Sequence, residues 1–188
     1  KVTNYTAGGK TYRIFYVDTE GKFGEKEIIT ASGSGADRFY VMSLKDIDGK
    51  KNGTSYYWYN AAYSKKISDY STVTSQDFGT GKTNTATMIS KWDSIAYGDQ
   101  NTRDMWGQIK TKVANGWVVP SRAEWAAFGK AFDITTSNYS NKFGLSNYYW
   151  SSSLCSSSIA YYALFNNGYM SNNGIRSSNG YVRLATTF

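Results

Sequence analysis

One segment in the middle of the chain constrains the fold more than any other, because it carries a complete signal for the start of a helix. Residues 121–124 (SRAE) fit a capping box, in which Ser121 is the N-cap and Glu124 reaches back from the third helical position. Three apolar residues follow at helical spacing: Trp125, Phe128 and Phe132. We therefore predict a capped, amphipathic helix that buries this stripe in a hydrophobic core.

Two more helices are predicted upstream of this one. Residues 85–92 (TATMISKW) place their large apolar side chains on one helical face. Residues 101–114 (NTRDMWGQIKTKVA) show the same spacing, and Gly116 is the expected stop. The apolar positions of the two segments are Met88, Ile89, Trp92, Met105, Trp106, Ile109 and Val113.

Candidate strands lie on both sides of the helices. They are short runs rich in β-branched and aromatic residues, separated by Gly, Asn and Ser. The runs are residues 11–17, 27–30, 39–42 and 56–59 before the helices, and 148–151, 161–165 and 181–185 after them. Helices enclosed between antiparallel strands predict a single α+β domain over residues 1–188.

Composition narrows the possible functions. The chain is 40% hydrophobic and 19% charged, which is typical of a folded protein. No apolar run approaches the roughly 20 residues of a membrane span. The net charge is +7, but the basic residues are scattered, so no nucleic-acid partner is expected. No secretory signal precedes Lys1, and because the chain starts at Lys we expect an N-terminal segment to have been removed.

The residue types that usually carry catalysis are scarce. The chain has no His, the usual general base and commonest zinc ligand. Its single Cys, Cys155, can form neither an internal disulfide nor a Cys-rich metal site. Residues 134–188 contain no Asp or Glu, so no carboxylate pair is available there. We expect no enzymatic activity, no metal and no cofactor.

Three short motifs resemble functional sites but are incomplete. Residues 79–83 (GTGKT) end like a phosphate-binding loop, yet position 76 is Gln where that loop needs Gly. The alternative is a flexible turn before a helix whose cap is Thr83 or Asn84. Residues 46–49 (DIDG) resemble half a calcium loop, although turn chemistry explains them equally well. Residues 151–153 offer serine hydroxyls with no His beside them, and local hydrogen bonding is the simpler explanation.

Two segments carry a family resemblance. Residues 116–128 (GWVVPSRAEWAAF) resemble the start of a helix in proteins related to the formylglycine-generating enzyme, which have a C-type-lectin fold; Pro120, Glu124 and Trp125 match. Residues 148–188, which begin YYWSSS and end YVRLATTF, are similar to the variable region of diversity-generating-retroelement proteins. In that family a mutagenic reverse transcriptase rewrites adenines in a short gene segment, and the encoded lectin-like surface binds varying targets.

The chain also departs from these relatives. The Glu-Pro-Asn and Gln-Pro-Asp calcium signatures of lectins are missing, and the only Pro is Pro120. Calcium-dependent sugar binding is therefore not expected. The catalytic cysteines of the formylglycine-generating enzyme are missing too, which argues against that activity.

Codon chemistry offers an independent check on diversification. Randomising the adenines of an Asn codon gives Ser, Ile, Tyr, Leu, Gly, Arg and Cys, among others, but never Lys, Glu, Gln, Met or Trp. Residues 151–188 contain no Lys, Glu, Gln or Trp, and Met170 would have to be a fixed position. A Ser- and Asn-rich loop would also lack long charged residues, but it would not explain the regular framework around these positions.

The predicted variable positions lie in a diversified region at about residues 150–183. They are Cys155, Ser156, Ser158, Ile159, Tyr162, Leu164, Ser171, Gly174, Arg176, Ser177, Ser178 and Gly180. We expect them to cluster on one exposed face. Strand alternation should place Tyr162 and Leu164 opposite Tyr161, Ala163 and Phe165. The expected fixed core and turn positions are Trp150, Ala160, Phe165, Gly168, Val182 and Leu184.

The resemblance implies a protein that binds a ligand or receptor, on a phage virion or a bacterial cell surface. Its partner would be an unknown protein or cell-surface ligand. Two alternatives remain open: an undiversified C-type-lectin-like adhesin or surface domain, and an enzyme of the formylglycine-generating type.

Overall fold

The computed structural model describes residues 2–7, 10–17, 39–50, 53–60, 66–175 and 178–187. It is an α+β structure, as the sequence predicts, and the described part has four helices and ten short strands where three helices and seven strands were predicted. The strand predicted at residues 27–30 lies outside the described residues, as do the candidate positions Arg176 and Ser177. Among the described residues, none of the helices has the length and apolar character needed to cross a membrane.

Five strands form a mixed sheet that joins the two ends of the described chain. The strands are β1 (Val2–Ala7), β2 (Lys10–Val17), β3 (Phe39–Ser43), β5 (Trp117–Val118) and β10 (Ala185–Thr187). Their order is β1-β2-β3-β10-β5, with β2 and β3 parallel and the other pairs antiparallel. The C-terminal strand therefore lies between an early strand and the strand that precedes the capped helix.

A second sheet carries most of the predicted variable region. It is an antiparallel meander of β6 (Tyr148–Leu154), β7 (Ile159–Leu164) and β8 (Tyr169–Ile175). The register pairs Tyr149 with Ala163 and Trp150 with Tyr162. A separate two-stranded ladder joins β4 (Tyr56–Tyr57) to β9 (Asn179–Gly180) at the side of this sheet.

The helices are α1 (Tyr70–Val73), α2 (Gly81–Asp93), α3 (Met105–Val113) and α4 (Arg122–Ala131). The capping box of α4 is confirmed: Glu124 N donates to Ser121 Oγ at 3.2 Å, and Ser121 N donates to Glu124 Oε2 at 2.9 Å. Trp125, Phe128 and Phe132 are fully buried, as predicted.

Two helix starts differ from the sequence prediction for reasons of tertiary contact. Helix α2 begins earlier, at Gly81, because Gly81 N donates to Glu124 Oε2 at 2.8 Å. The predicted cap at Thr83 or Asn84 is therefore wrong. Helix α3 begins later, at Met105, because the Asp104 carboxylate accepts Asn101 N at 2.9 Å and holds the preceding turn.

The meander separates two hydrophobic cores. Tyr149, Ala163 and Phe165 face a core shared with α4 and the five-stranded sheet. Trp150, Leu154 and Ala160 belong to the other core, which is shared with α2 and α3. The alternation of side chains along β6 and β7 thus supplies one wall of each core. The predicted core positions Trp150, Ala160, Phe165, Val182 and Leu184 are confirmed as buried, and the predicted turn position Gly168 is exposed with a left-handed φ of 73°.

The predicted strand at residues 181–185 is wrong in its bounds. The chain forms β9 and β10 instead, and residues 182–184 run between them as buried, irregular backbone. Their carbonyl groups bond to separate parts of the fold: Val182 O accepts Ile47 N at 3.1 Å, and Leu184 O accepts Ser43 N at 2.9 Å. The alternation of apolar residues correctly predicted that Val182 and Leu184 are buried. It wrongly predicted that residues 182–184 pair with a neighbouring strand.

Candidate binding surface

We call the partly exposed surface at Tyr162 and Leu164 the outward face of the meander; Tyr162 lies on it at the edge of the second core. Both side chains are half-buried, whereas Ala163 on the other side of the strand and Phe165 directly after the strand are fully buried. Tyr162 packs edge-on against Trp150, with ring centroids 5.8 Å apart, and against Tyr148 at 5.7 Å. The face is therefore an aromatic surface supported by a buried indole.

Gly174 in β8 lies directly beside Tyr162. A Cβ atom built on Gly174 would come within 2.6 Å of Tyr162 Cε1, which is closer than real contacts allow. The lack of a side chain at this position lets the tyrosine ring lie across the strand. Two of the predicted variable positions are therefore sterically dependent on each other.

Not every predicted variable position reaches this face. Ile159 is three residues from Tyr162, so it shares the opposite side of the strand with Tyr161 and Ala163. Gly180 is buried, and a Cβ there would lie 2.5 Å from Trp150 Nε1. The expectation that all of these positions share one exposed face is thus wrong for Ile159 and Gly180.

The turn between β6 and β7 holds three more candidates. Cys155, Ser156 and Ser158 are half-buried there, and the turn is closed by Cys155 N donating to Ile159 O at 2.8 Å. A polar cleft of about 420 Å³ lies beside it. It is lined by residues 70–72 and 74–77 together with Leu154 and Cys155. These candidates form a second patch at the tip of the hairpin.

The remaining candidates are in or near β8. Ser171 lies within the strand, but its side chain is outside the described part of the structure. Ser178 is exposed and directly precedes β9. The structure therefore groups Tyr162, Leu164 and Gly174 on the meander, with Ser178 beside the adjoining ladder.

Several residues beside this face could not be predicted as part of the site, because they lie outside the variable pattern. The Tyr148 hydroxyl donates to Asn179 O, and its ring packs against Tyr181 with centroids 5.7 Å apart. Burial raises the pKa of Tyr148, and the neighbouring Tyr181 and Tyr162 raise it further. Arg103 follows next along the surface and donates from Nη2 to Asn179 Oδ1 at 2.9 Å. Only the aromatic run at residues 148–150 signalled this part of the site.

A buried ion pair lies beneath the meander. Arg183 Nε and Nη2 donate to Asp46 Oδ1 at 3.1 and 2.9 Å, and Tyr149 Oη donates to the same atom at 2.8 Å. Burial raises the pKa of Asp46 despite the opposing effect of Arg183. Asp46 is therefore part of the core, and the resemblance of residues 46–49 to a calcium loop has a structural explanation.

The other carboxylate of that motif is also engaged locally. Asp48 accepts Thr54 N at 2.7 Å and Lys50 N at 3.1 Å. These bonds are those of an Asp-closed turn. Within the part of the chain that the structure describes, no group of three or more His, Cys, Asp or Glu side chains could hold a metal ion.

The other two motifs are likewise occupied by structural contacts. Gly79 has a left-handed φ of 91° and forms a turn before α2, whose first N–H is bonded to Glu124. The serine hydroxyls of β6 are buried: Ser151 donates to Tyr161 O and Ser153 donates to Ser75 O, both at 2.8 Å. The prediction that these serines hydrogen-bond locally holds only for Ser153 N, which donates to Ser151 Oγ at 3.1 Å; the hydroxyl groups bond instead to other parts of the fold.

Comparison of the chain with protein-family models, with curated proteins and with solved structures gives no match.

Proposed function

We propose that this chain is a ligand- or receptor-binding module with a C-type-lectin-like fold, whose C-terminal surface is diversified by a retroelement. It would be displayed on a phage virion or a bacterial cell surface and would bind a protein or another cell-surface ligand there. The role proposed is recognition and not catalysis.

The observation that carries the proposal is the contrast between the two sides of the meander at β7. Tyr162 and Leu164 are half-buried, with Tyr162 at the edge of the second core, while the neighbouring Ala163 and Phe165 are fully buried. Residues that the codon pattern marks as changeable thus alternate with residues that the core requires. A surface of this kind can change its chemistry while the residues beneath it keep the fold.

The types of side chain on this surface are also suited to binding a partner. Half-exposed Tyr and Leu side chains bury apolar area against a partner, and tyrosine does so with little loss of side-chain entropy. The serines of the β6–β7 turn add small hydrogen-bonding groups beside them. Two cores flank the meander, so its backbone forms a rigid platform for these groups.

The flanking DNA tests the diversification. We expect a nearly identical repeat of the segment that encodes residues 150–183, differing from it at adenines, together with a gene for a reverse transcriptase. Sequencing of a growing population should then show substitutions at the codons of Tyr162, Leu164 and Ser178, and none at that of Trp150. Substitutions spread evenly over the segment, or the lack of a repeat, would contradict the proposal.

An undiversified lectin-like adhesin is the second candidate. The buried position of Gly180 favours it, because any side chain there would displace the Trp150 ring. The two candidates differ in the same sequencing experiment. An adhesin would show neither the repeat nor adenine-directed substitutions.

A further inference from the structure

A strip of residues continues the aromatic face, and all of its members except Asn179 lie outside the diversified region. It starts at Tyr148, whose ring contacts Tyr162, and crosses Asn179 to Arg103. It ends at Tyr57, where the Arg103 guanidinium lies 5.1 Å from the ring centroid. Tyr57, Arg103 and Tyr148 all precede residue 150, so the proposed diversification would leave them unchanged.

Arg103 is held in place by the protein but keeps donors available. Nη2 donates to Ser55 O at 3.0 Å and to Asn179 Oδ1 at 2.9 Å, which fixes the plane of the guanidinium. Among the described residues, Nη1 and Nε of Arg103 have no hydrogen-bond partner and no carboxylate forms an ion pair with it. The side chain is exposed. A positioned guanidinium with open donors matches the planar, bidentate geometry of a carboxylate.

The distribution of charge in the chain also favours an acidic partner. The chain carries a net charge of +7, and its last 55 residues, 134–188, contain no Asp or Glu. The nearest carboxylate in sequence, Asp104, is fully buried and accepts hydrogen bonds from Asn60 N and Trp92 Nε1. An acidic partner would therefore meet no like charge from the C-terminal segment.

We propose that Tyr57, Arg103 and Tyr148 form a fixed anchor that binds an acidic segment of a partner protein next to the diversified positions. A carboxylate of the partner binds Nη1 and Nε of Arg103, and an adjacent side chain packs on the two tyrosines. The diversified residues then select among partners that share this acidic feature. This inference rests on the proposed function, because it takes the neighbouring positions to be the variable ones.

A displayed library tests the anchor. The chain would be displayed on yeast with Tyr162, Leu164 and Ser178 randomised, and selected separately against calmodulin as an acidic protein and lysozyme as a basic one. Several unrelated calmodulin binders would then receive Arg103→Gln. Lys130→Gln is the matched control, since it removes the same charge from an exposed position on α4. The measurements are the dissociation constant and the melting temperature of each variant.

We expect Arg103→Gln to weaken calmodulin binding by about tenfold or more in each clone, and Lys130→Gln by less than about twofold. Because the anchor is shared, the loss should not depend on the residues chosen at the randomised positions. Clones that bind calmodulin but lose equal affinity in both variants would overturn the anchor alone. A folded library that yields no binder to either protein would overturn the proposed function as well. The melting temperature identifies any clone in which Arg103→Gln acts through unfolding.

Discussion

Two buried tryptophans, Trp125 and Trp150, fix the position of the meander through hydrogen bonds that the sequence pattern does not show. Trp125 Nε1 donates to Trp150 O at 3.1 Å, and Trp150 Nε1 donates to Tyr56 O at 2.9 Å. Each indole therefore combines full burial with a hydrogen bond to a different element. Truncating such residues removes packing and also leaves a buried carbonyl group without its donor.

The buried pair of Asp46 and Arg183 gives a pH-dependent prediction. Arg183→Met should lower the free energy of unfolding by about 3–5 kcal/mol at pH 7, because it leaves the Asp46 carboxylate buried without its cation. Loss of that cation also raises the pKa of Asp46 further above its ordinary value. The folded variant then binds more protons than the unfolded chain, so its stability rises as the pH falls through the raised pKa towards the ordinary one.

Urea unfolding of Arg183→Met between pH 7 and pH 4 measures this effect. The double variant Asp46→Asn/Arg183→Met is the control, because it has no carboxyl group to titrate at this place. Subtracting its pH profile removes the contributions of the other acids. A destabilisation of Arg183→Met that stays constant with pH after this subtraction would contradict the assignment.

At the scale of elements, the outward face depends on how β7 and β8 share space. Tyr162 lies across Gly174, so a side chain at position 174 must displace the ring. The two positions belong to neighbouring strands. Gly174 pairs with Ala160, two residues before Tyr162, so Tyr162 and Gly174 are diagonal neighbours. Large side chains at one position therefore require small ones at the other.

A double-mutant cycle measures this dependence. Gly174→Ala should lower the free energy of unfolding by about 1–3 kcal/mol, because the new methyl group overlaps the Tyr162 ring. In a Tyr162→Ala background the same change should be neutral or stabilising, since alanine restricts the unfolded chain more than glycine does. The coupling energy between the two positions should then exceed about 0.5 kcal/mol. Additive effects would show that the ring does not rest on Gly174.

Local patterns predicted some elements of this fold well and others poorly. Helix α4 was predicted from its capping box, and strands β6 and β7 were predicted from their runs of aromatic residues. Both signals lie in residues that are close together in the sequence. Strands such as β5 and β9 have two residues each, which is too short to show any period. Gly180 was taken for a variable position because its burial depends on Trp150, 30 positions earlier in the sequence. Contacts of this range leave no local signal.

The same limit applies to the candidate site. Tyr162 and Leu164 could be placed on one face from strand alternation alone. Arg103, however, reaches the site from the turn before α3 and bonds to Asn179, so only the tertiary structure brings it there. The sequence thus indicated the variable part of the surface, and the fold added the fixed part.

The whole molecule places one sheet between two cores, and this arrangement determines what the surface can tolerate. Helix α4 supports one side of the meander, while α2 and α3 support the other through Trp150 and Leu154. Tyr162 packs against the edge of the second core, whereas an exposed side chain such as that of Ser178 contributes little to folding. Substitutions of this kind usually change stability by within about ±0.5 kcal/mol.

The last prediction separates binding from folding. Replacing Ser156, Ser158, Tyr162, Leu164 and Ser178 together by Ala should leave the chain folded, with most of the lost stability coming from the half-buried Tyr162 and Leu164. In a calmodulin-binding clone, the same replacement at these five positions should abolish binding, since aromatic and large apolar side chains dominate the energy of protein interfaces. Thr83→Ala, Ser90→Ala and Thr111→Ala are the matched control, because these residues are exposed on α2 and α3. Thermal melting and the dissociation constant are measured on both sets. Loss of binding with a retained melting transition supports the variable surface, whereas unfolding of the five-residue variant alone would place these side chains in the core.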